Sequence, residues 1–120
     1  MFEGCINLIC TPSSLPAKHI PKNCYSNMFK NCKRLVKSFL YLPASVLSDR
    51  CYQNMFNGCE SLFQAPLISK NIDNLSNYCF ESMFENCYSL ILAPELNYDN
   101  LENYCYLKTF KNCYNLVTTL

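Results

Sequence analysis

Apolar residues in this chain recur at one fixed set of intervals. From Leu47 they fall at 47, 51, 52, 55 and 56, an i, i+4, i+5, i+8, i+9 stripe. That spacing predicts one buried face of a helix of about three turns. The same stripe starts at Ile20, Leu75 and Leu101. Each copy runs through a cysteine, an aromatic (Tyr25, Tyr52, Phe80, Tyr106), then Met28, Met55, Met83 or Thr109, then a phenylalanine (Phe29, Phe56, Phe84, Phe110). Ser48 and Ser76 stand where an N-cap is wanted, and Pro21 suits a first helical turn at the same place.

The helix must then stop. Gly4, Asn31, Gly58, Asn86 and Asn112 occupy the place just before a second cysteine, and they include both glycines of the chain. Gly and Asn accept the left-handed conformation that ends a helix, so φ > 0 is expected at all five. Three residues beyond that cysteine come Leu8, Leu35, Leu62, Leu90 and Leu116. A short extended stretch follows, with a small residue (Thr11, Ser38, Ala65, Ala93, Thr119) and then Pro12, Pro66 or Pro94 in three copies. Proline interrupts a ladder of hydrogen bonds, so a narrow strand is expected there.

These stretches are copies of one unit. Cys24–Leu35, Cys51–Leu62, Cys79–Leu90 and Cys105–Leu116 are full, and Met1–Leu8 is truncated. Successive second cysteines (5, 32, 59, 87, 113) lie 27, 27, 28 and 26 residues apart. The chain reads as a single array over 1–120: a partial repeat 1–23, repeats 24–50, 51–78 and 79–104, and a partial repeat 105–120. One unit cannot bury its own apolar face, but stacked units can. The expected fold is an α/β solenoid, leucine-rich-repeat-like, with about 27 residues per turn and a short helix plus a short parallel strand in each repeat. Ladders of Phe29, Phe56, Phe84, Phe110 and of Leu35, Leu62, Leu90, Leu116 are expected to form its core. Met1-Phe2 is in register with Met28-Phe29, so a fragment or an uncapped array is expected.

Composition changes this picture little. Half of the residues are apolar and the formal net charge is +1, which argues against disorder and gives no general pull toward nucleic acid or membrane. No apolar run approaches the roughly 18–20 residues of a membrane span. Met1-Phe2-Glu3-Gly4 lacks the basic start and apolar run of a secretory leader. Charge is uneven: residues 1–50 carry seven Lys/Arg against two acids, and residues 51–120 carry three against seven.

Ten cysteines suggest a disulfide or metal scaffold, but eight of them form C-x7-C pairs (Cys24/Cys32, Cys51/Cys59, Cys79/Cys87, Cys105/Cys113). Structural zinc needs closer pairs converging on one point. Residues eight apart on a helix are about 12 Å apart by rise, too far for a disulfide. Buried, reduced filler is the expected role of these thiols, with no cofactor and no metal. His19 is the sole histidine, and a dyad with Cys24 has no supporting motif. Asp73, Asp99 and Glu102 are read as solvated linker acids, and two distant glycines allow no phosphate loop. Asn74-Leu75-Ser76 matches a glycosylation acceptor, but Leu75 belongs to the buried stripe. Lys30, Lys33, Arg34 and Lys37, near Phe39 and Tyr41, form one basic cluster, too little to favour nucleic acid on a near-neutral chain. Tyr41, Tyr88, Tyr98 and Tyr114 lie outside the core pattern and are the candidate partner-binding residues.

The motif Cys-Tyr-x-x-Met-Phe-x-Gly-Cys-x-x-Leu-x-x-Ala-Pro, with Leu15-Pro16-Ala17 and Leu42-Pro43-Ala44 in the linkers, resembles the BspA-type leucine-rich repeats. Those repeats occur in surface proteins of bacteria and protists and in phages. Thr109 and the linker Asn71–Leu75 depart from the pattern. The resemblance implies a non-enzymatic binding or adhesion module, at a cell surface or outside the cell, for a protein or glycan partner. The alternative is a structural subunit or segment of a larger surface, fibre or phage assembly, held through neighbouring repeats or subunits at its uncapped ends.

Overall fold

The computed structural model describes residues 2–11, 24–38, 41–42, 47–68, 77–92 and 108–116. Among these residues there is no helix, which corrects the helix expected over 47–58. The reason lies in the stripe itself, whose period is four rather than 3.6. Left-handed backbone recurs at every fourth residue: Arg50, Asn54 and Gly58 have φ of 56°, 56° and 82°. The same hand is found at Tyr78, Ser82 and Asn86, at Asn27 and Asn31, and at Lys108 and Asn112. A right-handed helix cannot run through such residues. Ser48 accordingly caps no helix; its carbonyl accepts from the Cys51 N–H at 3.2 Å.

Hydrogen bonding alternates along this run of turns. Gln53, Met55, Asn57 and Cys59 donate within their own copy, to the carbonyls of Arg50, Tyr52, Asn54 and Phe56 at 3.2, 3.1, 3.2 and 3.0 Å. The residues between them donate to the next copy. Tyr52, Asn54, Phe56 and Gly58 reach the carbonyls of Cys79, Glu81, Met83 and Glu85 at 3.0, 3.0, 2.8 and 2.9 Å. Tyr25, Asn27, Phe29 and Asn31 reach Cys51, Gln53, Met55 and Asn57 in the same way. A non-glycine residue in the left-handed region costs roughly 1–2 kcal/mol. Strain of this kind persists where the surroundings over-determine it. Here Arg50 and Asn54 each donate to the next copy, at 2.9 and 3.0 Å.

Opposite these turns the chain is extended. Parallel bridges join Cys10 to Lys37, Lys37 to Gln64 and Gln64 to Leu92. Strand β1 (Tyr41–Leu42) pairs in parallel with β2 (Leu67–Ile68), with Tyr41 opposite Leu67 and Leu42 opposite Ile68. Pairing is interrupted at Pro66, between the Gln64 bridge and β2, as its missing N–H requires. The core lies between the turns and the extended segment. Phe29, Phe56, Phe84, Leu35, Leu62 and Leu90 are fully buried, and Phe110 and Leu116 pack against them half-buried. Phe2, Phe29, Phe56, Phe84 and Phe110 stack face to face in succession, at centroid distances of 5.3, 5.5, 5.6 and 5.6 Å. Tyr25, Tyr52 and Phe80 form a second stack at 6.1 and 5.7 Å.

All five Gly/Asn positions before the second cysteine have positive φ: 73° at Gly4, 61° at Asn31, 82° at Gly58, 63° at Asn86 and 64° at Asn112. They end a turn rather than a helix. Gly58 is further constrained, because a Cβ there would overlap Asn31 Oδ1 and lie 3.4 Å from Asn31 Cα. Gly58→Ala is therefore expected to cost about 1–2 kcal/mol for the backbone and about 1 kcal/mol more for overpacking. In an Asn31→Gly background only the backbone part should remain. Urea unfolding of the four proteins of this cycle checks the coupling. An equal penalty in both backgrounds would refute the contact.

Candidate binding face

The interior of the repeat is chemically quiet, and the cause is visible around each second cysteine. Cys32, Cys59, Cys87 and Cys113 donate their thiol protons to the carbonyls of Phe2, Phe29, Phe56 and Phe84, at 3.0, 3.1, 3.2 and 3.0 Å. Each of these carbonyls also accepts a backbone N–H from its own copy. A small buried donor thus fills a second lone pair, which explains why cysteine rather than valine or leucine recurs there. Thr109 does the same in the methionine column, its hydroxyl donating to the Phe80 carbonyl at 3.0 Å. Burial pushes the Cys51 and Cys59 thiols up to about 12 and Cys113 up to about 11. Cys87 is driven well above its ordinary value, and Cys32 also rises, again chiefly through burial. Thiols held protonated are poor nucleophiles and poor metal ligands. The nine described cysteines form no disulfide with one another, and Cys5, Cys10 and Cys24 are exposed. Among the described residues, no three or more of His, Cys, Asp and Glu gather as a metal site. No helix of the described residues is long and apolar enough to cross a membrane.

Of the four candidate tyrosines, Tyr88 and Tyr114 are brought together, with ring centroids 5.8 Å apart and planes within 1°. Tyr114 is 75% exposed and its hydroxyl donates to Asn112 Oδ1 at 2.9 Å. Asn115 Nδ2 donates to the Tyr88 carbonyl at 2.8 Å. Tyr41 is exposed in β1, beside Leu67 of β2 and away from the Tyr88–Tyr114 pair in the repeat. Tyr98 lies outside the described residues, as do His19, Phe39, Asp73, Asn74, Ser76, Asp99 and Glu102.

A second exposed column was not singled out by the sequence reasoning. The residue after each core leucine is apolar: Ile9, Val36, Phe63 and Ile91. Val36 is half-buried, whereas Ile9, Phe63 and Ile91 are 52%, 40% and 43% exposed. They are neighbours across the copies, because Val36 donates its N–H to the Ile9 carbonyl at 2.8 Å and Ile91 to Phe63 at 3.0 Å. Leu92, also exposed, stands in the adjacent column, in register with Gln64. Lys33, Arg34 and Lys37, all exposed, stand on either side of Val36 in the sequence of the second copy, and Glu60 takes the place of Lys33 in the next. The signal was present in the sequence, as an apolar residue at a fixed place after the leucine.

Comparison with protein-family models, with curated proteins and with solved structures gives no match.

Proposed function

We propose that the chain is a non-enzymatic binding module, a solenoid of the BspA leucine-rich-repeat type, whose ridge engages a partner protein. The observation that carries this reading is the apolar column Ile9–Val36–Phe63–Ile91, held at one place in four successive copies and exposed in three of them. An aligned exposed apolar strip of this kind marks an interaction surface better than scattered apolar residues do. The stacked core beneath it fixes the strip, so little conformational freedom is lost on binding. Exposed Lys33, Arg34 and Lys37, on either side of Val36 in the sequence, favour a partner segment that joins apolar anchors to acidic residues. The apolar character of the ridge supports a protein over a glycan.

The test is selection from a peptide-display library on the immobilised chain. Expected winners combine acidic and apolar residues, and their affinity should fall at least about tenfold, or 1.4 kcal/mol, on Phe63→Glu with Ile91→Glu. Circular dichroism confirms that this variant stays folded. Selected peptides that ignore these substitutions would overturn the ridge as the binding face.

A further inference from the structure

Asn57-Gly58 is the one Asn-Gly pair in the chain. We propose that it is a latent self-modification site, closed while Gly58 is bonded to the next copy and released when that contact opens. The chemistry requires only water. The Gly58 backbone nitrogen, having lost its proton, attacks Asn57 Cγ; the new N–Cγ bond forms, the Cγ–Nδ2 bond breaks, and ammonia leaves. Water then opens the resulting five-membered imide at either carbonyl. One product is aspartate, and the other is its β-linked isomer, in which the backbone runs through the side-chain carbon. The sum is Asn plus water giving Asp plus ammonia, with no change of oxidation state.

The fold opposes every part of the attack. Gly58 is buried and its N–H donates to the Glu85 carbonyl at 2.9 Å. The attacking atom is therefore occupied by a proton that is itself engaged. The electrophilic amide is also held: Asn57 Nδ2 donates to Asn54 Oδ1 at 3.0 Å, and Asn57 Oδ1 accepts from Asn86 Nδ2 at 3.5 Å. Closing the imide ring means breaking the contact to Glu85 and turning the side chain out of this amide chain. Local opening between the two copies is thus the gate.

The reaction also works against return. The β-linked product adds a backbone atom between the local bonds of one turn, just before Cys59. Cys59 bonds the Phe56 carbonyl through its N–H at 3.0 Å and the Phe29 carbonyl through its thiol at 3.1 Å. Both bonds lose register once the spacing changes. A copy that opens and forms the β-linked isomer therefore fails to re-form, and either product records the opening irreversibly.

The experiment incubates the intact chain in mildly alkaline buffer, with and without concentrated guanidinium chloride. Mass spectrometry of the tryptic fragment 51–70 follows a gain of one dalton at Asn57, and fragmentation separates the two isomers. The native chain should react more than about tenfold more slowly than the denatured chain, because the rate follows the open population. Phe84→Leu, which loosens the neighbouring copy without touching the pair, should raise the native rate. Equal native and denatured rates, no reaction in denaturant, or a native rate unmoved by Phe84→Leu would each overturn the proposal.

Discussion

Phe56→Ala is expected to lower the unfolding free energy by about 3–5 kcal/mol, the range for deleting a fully buried phenylalanine. Phe56 has no solvent exposure and its ring is sandwiched between those of Phe29 and Phe84, at 5.5 and 5.6 Å. Both faces therefore lose their partners at once, where a ring at the end of a stack loses one. Stacked pairs contribute about 0.5–1.5 kcal/mol each beyond burial, which places the effect toward the upper part of the range. The cavity would also open where two copies meet. Phe110, half-buried and stacked among the described residues on Phe84, should lose roughly 1–3 kcal/mol on the same change. Phe63→Ala, on the exposed ridge, should stay within about 0.5 kcal/mol of wild type. Urea denaturation of the three variants gives the order. A Phe56 loss no larger than the Phe110 loss would contradict the stack as the centre of the core.

The inward-facing residues were legible in the sequence even though the backbone that carries them was not. Leu47, Cys51, Tyr52, Met55, Phe56, Cys59 and Leu62 are all buried, as the stripe required. A period of four lies close to 3.6, so over about three turns the two patterns select the same side chains. What separates them is the backbone at the residues between the stripe positions. Asn27, Asn54 and Gly58 carry side chains, or none, that suit a left-handed residue. Arg50, Tyr78, Ser82 and Lys108 adopt the same hand without any preference for it. Arg50 is held in it by bonding to the next copy, its N–H donating to the Asn77 carbonyl at 2.9 Å, a long-range cause with no local sequence mark. The stretch after each core leucine carries the parallel bridges at Cys10, Lys37, Gln64 and Leu92, but pairing does not end at the proline. Leu67–Ile68 pairs beyond Pro66, because register between copies decides where two extended segments meet. Tyr88 and Tyr114 were separable from Tyr52 by position in the repeat, and they are exposed where Tyr52 is buried. The ridge was missed because an apolar pair such as Leu62-Phe63 reads as two core residues, whereas the chain turns outward at the second.

Raising the pH is expected to unfold the protein in one steep step, and the sign follows from the buried thiols. An unfolded cysteine titrates near the ordinary value of 9.0, whereas burial lifts Cys51 and Cys59 to about 12 and Cys87 well upward. Between these limits the folded chain binds more protons than the unfolded one. Stability is then complete below pH of about 9 and falls as pH rises toward about 12, by about 1.4 kcal/mol per pH unit for each such thiol. Three thiols together give a slope of about 4 kcal/mol per unit, against a total of about 5–15 kcal/mol for an ordinary domain. The fold should therefore collapse before these thiolates form inside it. Circular dichroism across this range, with mass-tagging of thiols at each pH, should show Cys51, Cys59 and Cys87 becoming reactive together as the folded signal disappears. Cys59→Val should flatten the slope by about one proton, although it removes the bond to the Phe29 carbonyl. Reactive Cys59 in a chain that keeps its folded signal would show that the thiol is not sealed in the core, and the account of the cysteine column would fail with it.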